Sequence, residues 1–151
     1  MTASGLAAAA GMVSVTTFTA WALYITLVEH PARLESGAGP GRAQFRSSYR
    51  RAAPWQASFA VIACAAGGAL ALLTRRWTWL AGALAIGAVV PFTLLVIMPT
   101  NHRLLGPEPL GDAEVMQLLR RWGQLHALRT VLAALALLAF LFSLGPRIQG
   151  G

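Results

Sequence analysis

The chain has 151 residues, of which 56% are hydrophobic and 11% charged, with a mean hydropathy of +0.60. A soluble domain carries about 25% charged residues, so 12 basic and 5 acidic side chains are too few to coat a water-exposed globule of this size, and the abundance of Ala, Leu and Val excludes disorder. What remains is a small integral membrane protein whose formal net charge of +7 comes from arginine, with no lysine.

The first apolar run, 5–28, carries no charge. A span needs about 20 such residues, and no basic n-region precedes the run, so it is expected as an uncleaved transmembrane helix. Glu29-His30-Pro31-Ala32-Arg33 follows. Pro31 is expected to end the helix, leaving Glu29 in a last turn whose negative dipole end disfavours an anion. An acid there wants a partner, and Arg33, Arg129 or a metal can supply one. Tyr24 and Glu29 are candidate pocket residues.

A long connection, 29–54, leads to the second run, 55–74, which Arg75-Arg76 joins to the third, 77–98. These two form an antiparallel hairpin whose small residues (Ala65, Gly67, Gly68, Ala71, then Ala81, Gly82, Ala85, Gly87, Ala88) let helices approach closely in lipid and permit a homo-oligomer. Pro91 frees a carbonyl inside the third run and kinks it. Asn101, after Pro99-Thr100, is either a ligand-binding amide or part of a helix-ending turn. The second long connection, 99–121, ends in an amphipathic segment, Asp112 to Arg121, with Asp112 placed as an N-cap. The fourth run is 125–144. Trp55, Trp77, Trp79 and Trp122 stand at run ends, as in an aromatic belt.

The expected fold is all-α: one domain, 1–151, a four-helix transmembrane bundle with one short amphipathic helix before the last span. Cys64 lies alone in an apolar run and offers neither a disulfide nor a thiolate cluster. So basic a chain can suggest nucleic-acid binding, but its arginines sit in short connections between spans, which fits topology signals and lipid headgroups better. Nine arginines fall in 29–54 and 99–129 and three elsewhere (Arg75, Arg76, Arg147). The positive-inside rule then places the long connections in the cytoplasm, and a bacterial inner membrane is the expected location.

The histidines, the acids and most arginines therefore gather at one membrane level. Ionisable residues there are costly unless they face a bundle interior or water, although any one arginine can also serve as an interfacial anchor. The strongest pattern is Trp122-x-x-x-His126-x-x-Arg129-Thr130, whose spacings put Trp, His and Arg on one helical face. His126 can act as base, acid or metal ligand, and Arg129 needs an anion or acceptor; a helix-start His beside an Arg129–Glu29 ion pair is the structural alternative. Three histidines also raise a transition metal held by His126 and Glu29, though no single helix carries a two-histidine pair at ligand spacing.

Glu29-His30-Pro31-Ala32-Arg33, Pro99-Thr100-Asn101 and Trp122-Gly123-Gln124-Leu125-His126-Ala127-Leu128-Arg129-Thr130, together with Ser48-Tyr49-Arg50-Arg51 and Gln56, resemble the anthrone-oxygenase-like family of small membrane proteins. The resemblance implies oxidation of a polycyclic phenolic anthrone by molecular oxygen as co-substrate, with no organic cofactor. It implies His126 or Glu29 as the base at an acidic benzylic C–H, and Arg129 and Arg33 as stabilisers of the phenolate and of reduced oxygen. Asn101 would orient a carbonyl, while Trp122 and Tyr49 would pack against the rings. The implied partners are an apolar aromatic small molecule and the bilayer; a non-enzymatic lipid-binding subunit is the competing class.

Overall fold

The computed structural model describes residues 2–145, so Arg147, counted above, lies outside the described residues. Four helices follow one another: α1 (Ala3–Glu35), α2 (Ala38–Thr74), α3 (Trp77–Leu105) and α4 (Asp112–Leu144). They run alternately up and down. Each packs on the next, α4 closes back on α1, and α2 meets α4 across the diagonal.

The helices hold 33, 37, 29 and 33 residues, whereas about 20 suffice to cross the hydrocarbon core. The surplus lies at one end, where 29–35, 38–54, 99–105 and 112–124 rise beyond the apolar runs. Both long connections are thus mostly helix rather than loop. Only the Ser36-Gly37 turn breaks the first, with Gly37 at φ 86°, a conformation that glycine adopts at no steric cost. In the second, helix resumes at Asp112. Gly111 holds the N-cap position in extended backbone, and the Asp112 side chain makes no capping bond. The amphipathic segment is continuous with the last span.

Pro31 does not end α1, contrary to the sequence expectation. A π-helical turn, Ile25–Glu29, precedes it, with the His30 N–H donating to the Ile25 carbonyl. Proline lacks an N–H and its ring collides with the carbonyl four residues back; a widened turn just upstream relieves both problems and the helix continues. The device recurs in α3, where Thr93–Ile97 forms a π turn ahead of Pro99 and the Met98 N–H reaches the Thr93 carbonyl.

Two cores stack along the bundle. The membrane tier holds Val15, Phe18, Ala22, Ala60, Ala63, Leu70, Trp79, Ile86, Val89, Ala133, Ala136 and Phe140. Its small residues bring the backbones close, as expected where lipid supplies no hydrophobic drive. A Cβ on Gly67 or Gly82 would run into the Phe140 ring, which stands edge-on to Trp79 at 4.9 Å. The cap tier holds Ile25, Phe45, Ile97, Leu104, Val115, Leu119 and Trp122. Every exposed large hydrophobic residue among the described residues, from Leu6 to Leu144, falls within the four apolar runs and none in the cap extensions. Apolar exposure banded in this way is what a bilayer requires.

Several arginines bind carbonyls rather than serving only as headgroup or topology signals. Arg42 donates to the carbonyls of Leu104 (3.1 Å), Gly106 (2.9 Å) and Glu108 (3.0 Å), and Arg46 to that of Leu104 (3.0 Å), together satisfying the C-terminus of α3. Arg76 does the same for α4 through the Ser143 and Gly145 carbonyls. These side chains take up acceptors that every helix end leaves open.

Candidate functional site

Between the two tiers lies a cavity of about 170 Å³ with an open mouth. Phe18, Ala60 and Val89 of the membrane core form its floor, and Phe45, Ile97 and Trp122 of the cap core form its roof. Besides Ser48, Tyr49 and Thr93, the polar part of the wall comes from five side chains, Arg33, Gln56, Asn101, His126 and Arg129. All five are buried.

His126 and Arg129 share one face of α4, as their spacing predicts. Arg129 Nη2 donates to Gln56 Oε1 (2.5 Å) and to His126 Nε2 (3.1 Å), and its guanidinium lies 5.4 Å from the Phe18 ring centre. A guanidinium has no acceptor to offer, so Nε2 carries the lone pair and the neutral ring keeps its proton on Nδ1. That nitrogen lies 3.1 Å from the Thr26 hydroxyl, which also bonds the Ala22 carbonyl and the Thr130 hydroxyl. The π turn of α1 carries Thr26 and so helps fix the imidazole tautomer across the helix interface. The alternative Arg129–Glu29 pair does not form.

Glu29 pairs instead with Arg33 (2.6 Å). The same Oε1 accepts from Gln44 (2.8 Å) and Ser48 (2.6 Å), and Arg33 Nε donates to Gln44. Glu29 does not line the cavity; it holds Arg33 there. The Arg33 guanidinium lies against Trp122 (5.2 Å) and Phe45 (5.4 Å), in cation–π geometry. Two guanidiniums thus reach the cavity wall, while the carboxylate that balances one of them stands behind it.

Trp122 is the hub of the roof. Its ring meets His30 at 5.3 Å, His126 at 4.7 Å and Phe45 edge-on at 5.2 Å. Tyr49 stacks on Phe45 at 5.7 Å and lines the wall. Asn101 lines it too and is fully buried. Tyr24 is placed differently: it is 55% exposed and does not line the cavity, because it sits about 100° around α1 from the Phe18–Ala22–Ile25 face.

His30 is helical, buried, and pressed on Gly123, where a Cβ would overlap its ring. Its Nδ1 accepts from Arg33 Nη1 at 3.4 Å. His102, also helical, is exposed. Gln56, Phe45 and Thr26 were not assigned to the site. Gln56 had a readable signal, a lone amide just inside an apolar run; Thr26 and Phe45 had none. Among the described residues no three of His, Cys, Asp and Glu gather into a metal-binding group, and His126 and Glu29, the pair considered for a metal, have separate sets of partners.

Buried side-chain atoms without a hydrogen-bond partner among the described residues are Gln56 Nε2, Asn101 Nδ2 and Oδ1, Trp122 Nε1 and Arg129 Nε. All belong to residues of the cavity wall. A buried polar group left unpaired costs roughly 1–3 kcal/mol, so their confinement to one cavity gives its wall free hydrogen-bonding capacity. Four are donors and one is an acceptor: the complement of a ligand rich in oxygen.

The family model for anthrone oxygenase matches residues 45–139, well over half of the chain. This chain belongs to the anthrone oxygenase family. The matched stretch includes Phe45, Tyr49, Gln56, Asn101, Trp122, His126 and Arg129, while Glu29, His30 and Arg33 lie before it. The anthrone oxygenase tpcL of Aspergillus fumigatus is 46% identical over 48 residues, a match covering 29% of this chain and 30% of that protein. No solved structure matches the chain.

Proposed function

We propose that the protein is a membrane-embedded oxygenase of the anthrone-oxygenase type, acting on a polycyclic phenolic or similar apolar substrate with molecular oxygen as co-substrate. The observation that carries this reading is the set of unpartnered polar atoms, four donors and one acceptor, around an otherwise apolar cavity. A flat tricyclic phenol fits that pattern. Its rings take the Phe18, Phe45 and Trp122 surfaces, its carbonyl takes N–H donors from Asn101 and Gln56, and a phenol O–H donates to Asn101 Oδ1.

The chemistry follows from where charge develops. The methylene of an anthrone is acidic because its carbanion is delocalised through both rings onto the carbonyl oxygen. His126 Nε2, freed as Arg129 Nη2 turns from it to the substrate oxygen, offers the lone pair that takes that proton. Arg129 and Arg33 stabilise the anthranolate oxygen, with Arg129 Nε and Trp122 Nε1 as further donors in a water-poor site. The electron-rich anthranolate transfers an electron to O₂, and the resulting radical pair combines at the same carbon. Loss of water from the hydroperoxide then leaves the quinone carbonyl. One O₂ and one anthrone give one anthraquinone and one water, so atoms and electrons balance. Glu29 acts through Arg33 as a positioning residue.

The test is oxygen consumption by purified protein given a model anthrone, followed by quinone absorbance. His126→Ala and Arg129→Ala should each abolish most of the turnover. Parent-like rates in both variants, or loss of activity on chelation restored by one metal, would refute this assignment. The proposed orientation, with the cap tier cytoplasmic, is checked by labelling a cysteine placed at Arg120 from either side of a sealed vesicle.

A further inference from the structure

The cavity wall is not equally buried all round. From α1 and α4 it takes residues of the inward faces, among them Phe18, Ile25, His126 and Arg129. From α2 and α3 it takes two adjacent stripes each. The inner stripes, such as Ala52, Gln56 and Ala60 on α2 and Val89 and Ile97 on α3, are buried. The outer stripes are Ala53 and Ala57 on α2 and Val90 and Leu94 on α3. Ala53 and Val90 are half-buried, and Ala57 and Leu94 are exposed, Leu94 by 56%. The mouth therefore lies between α2 and α3.

Its level in the membrane follows from the apolar runs. Ala57 comes two residues after exposed Trp55, and Leu94 is flanked by exposed Leu95 and Val96. The mouth thus sits just inside the hydrocarbon boundary and faces lipid, not water. The π turn Thr93–Ile97 accounts for the opening: it packs on α4, while lower down α2 and α3 lie closely side by side. The small side chain of Ala57 leaves the gap unfilled.

From this we infer that the cavity takes its ligand sideways from the bilayer, through a portal between α2 and α3 bordered by Ala53, Ala57, Val90 and Leu94. The substrate class is correspondingly narrowed to molecules that partition into the lipid at the headgroup–acyl boundary: flat, apolar, with a polar end. Such a molecule slides in with its apolar part along Ala57 and Leu94 and meets the polar wall only once inside. The oxygenase reading names the ligand, but the portal stands on exposure and geometry alone.

The experiment uses the full chain in phosphatidylcholine vesicles, with anthrone as the probe and quenching of tryptophan fluorescence as the readout. Ala57→Phe and Leu94→Phe should slow association by about ten-fold, because access rather than affinity is changed. Leu95→Phe, at an exposed position that does not line the cavity, should keep the parent rate. In a second arm, phosphatidylcholine with a diazirine in its acyl chain should crosslink to half-buried Ala53 and Val90 of the parent protein. Parental association in both plug variants, or crosslinks confined to outward residues such as Leu84 and Leu95, would overturn the portal. Crosslinks at Ala53 and Val90 without any anthrone binding would uphold the portal and remove the anthrone reading.

Discussion

The two tiers of this bundle are held together in different ways. The membrane tier fits by shape: glycines and alanines admit large rings, and its few polar contacts are single bonds such as Thr19 to the Ala133 carbonyl at 3.2 Å. The cap tier adds a charged network to its packing, with Glu29, Arg33, Gln44 and Ser48 joined through one carboxylate oxygen. Lipid explains the contrast. In hydrocarbon an apolar side chain gains nothing by turning inward, so close contact must do the work, whereas the cap meets water and headgroups and can carry ions. The cavity sits where the two regimes meet, with an apolar floor below and charges in its wall.

The largest effect should come at that boundary. Arg129→Ala should lower turnover of a model anthrone by about 10²–10³-fold, the range seen when one anion-stabilising donor is removed. Next, Gly82→Leu should cost the membrane tier about 3 kcal/mol or block assembly, since Phe140 already fills the space and overpacking is expensive. Unfolding in mixed detergent micelles measures this, and a parent-like midpoint would show that shape does not govern this tier.

In the cap, Glu29→Gln should destabilise by about 2 kcal/mol, because Arg33 stays buried without its counter-charge. The same variant should reduce anthrone affinity more than the rate of a bound turnover, as befits a residue acting through Arg33. Gly123→Ala should cost about 1–2 kcal/mol by displacing the His30 ring. Smallest is Thr19→Ala, at about 0.6 kcal/mol, the average for hydrogen bonds between helices in a membrane. Equal losses for Thr19→Ala and Glu29→Gln in one unfolding assay would erase the contrast between the tiers.

Much of the architecture could be read from residue order. Four apolar runs of about 20 residues, three of them free of charge and the fourth carrying Arg129, specify four spanning helices, because runs of that length satisfy their own backbone in hydrocarbon as helix. The spacing of Trp122, His126 and Arg129 specified a shared face on α4, and all three line the cavity. Asn101 was legible as an amide at a span end. The connections misled for a physical reason: proline, glycine and arginine in 29–54 signal a loop in isolation, but here the turn between α1 and α2 needs only Ser36 and Gly37, and Pro54 is absorbed inside α2.

What only the tertiary structure decided is which side chains of α1 face the cavity. Counting by 3.6 residues from Phe18, Ala22 and Ile25 brings Glu29 inward next. The π turn at Ile25–Glu29 inserts one residue into that count, so His30 and Arg33 take the inward face and Glu29 moves behind them. Composition and periodicity thus determined a four-span membrane protein with its scarce charges gathered at one level. The roles within that cluster were set by a local widening of one helix, which depends on how Pro31 is accommodated against its neighbours and leaves no periodic trace in the sequence.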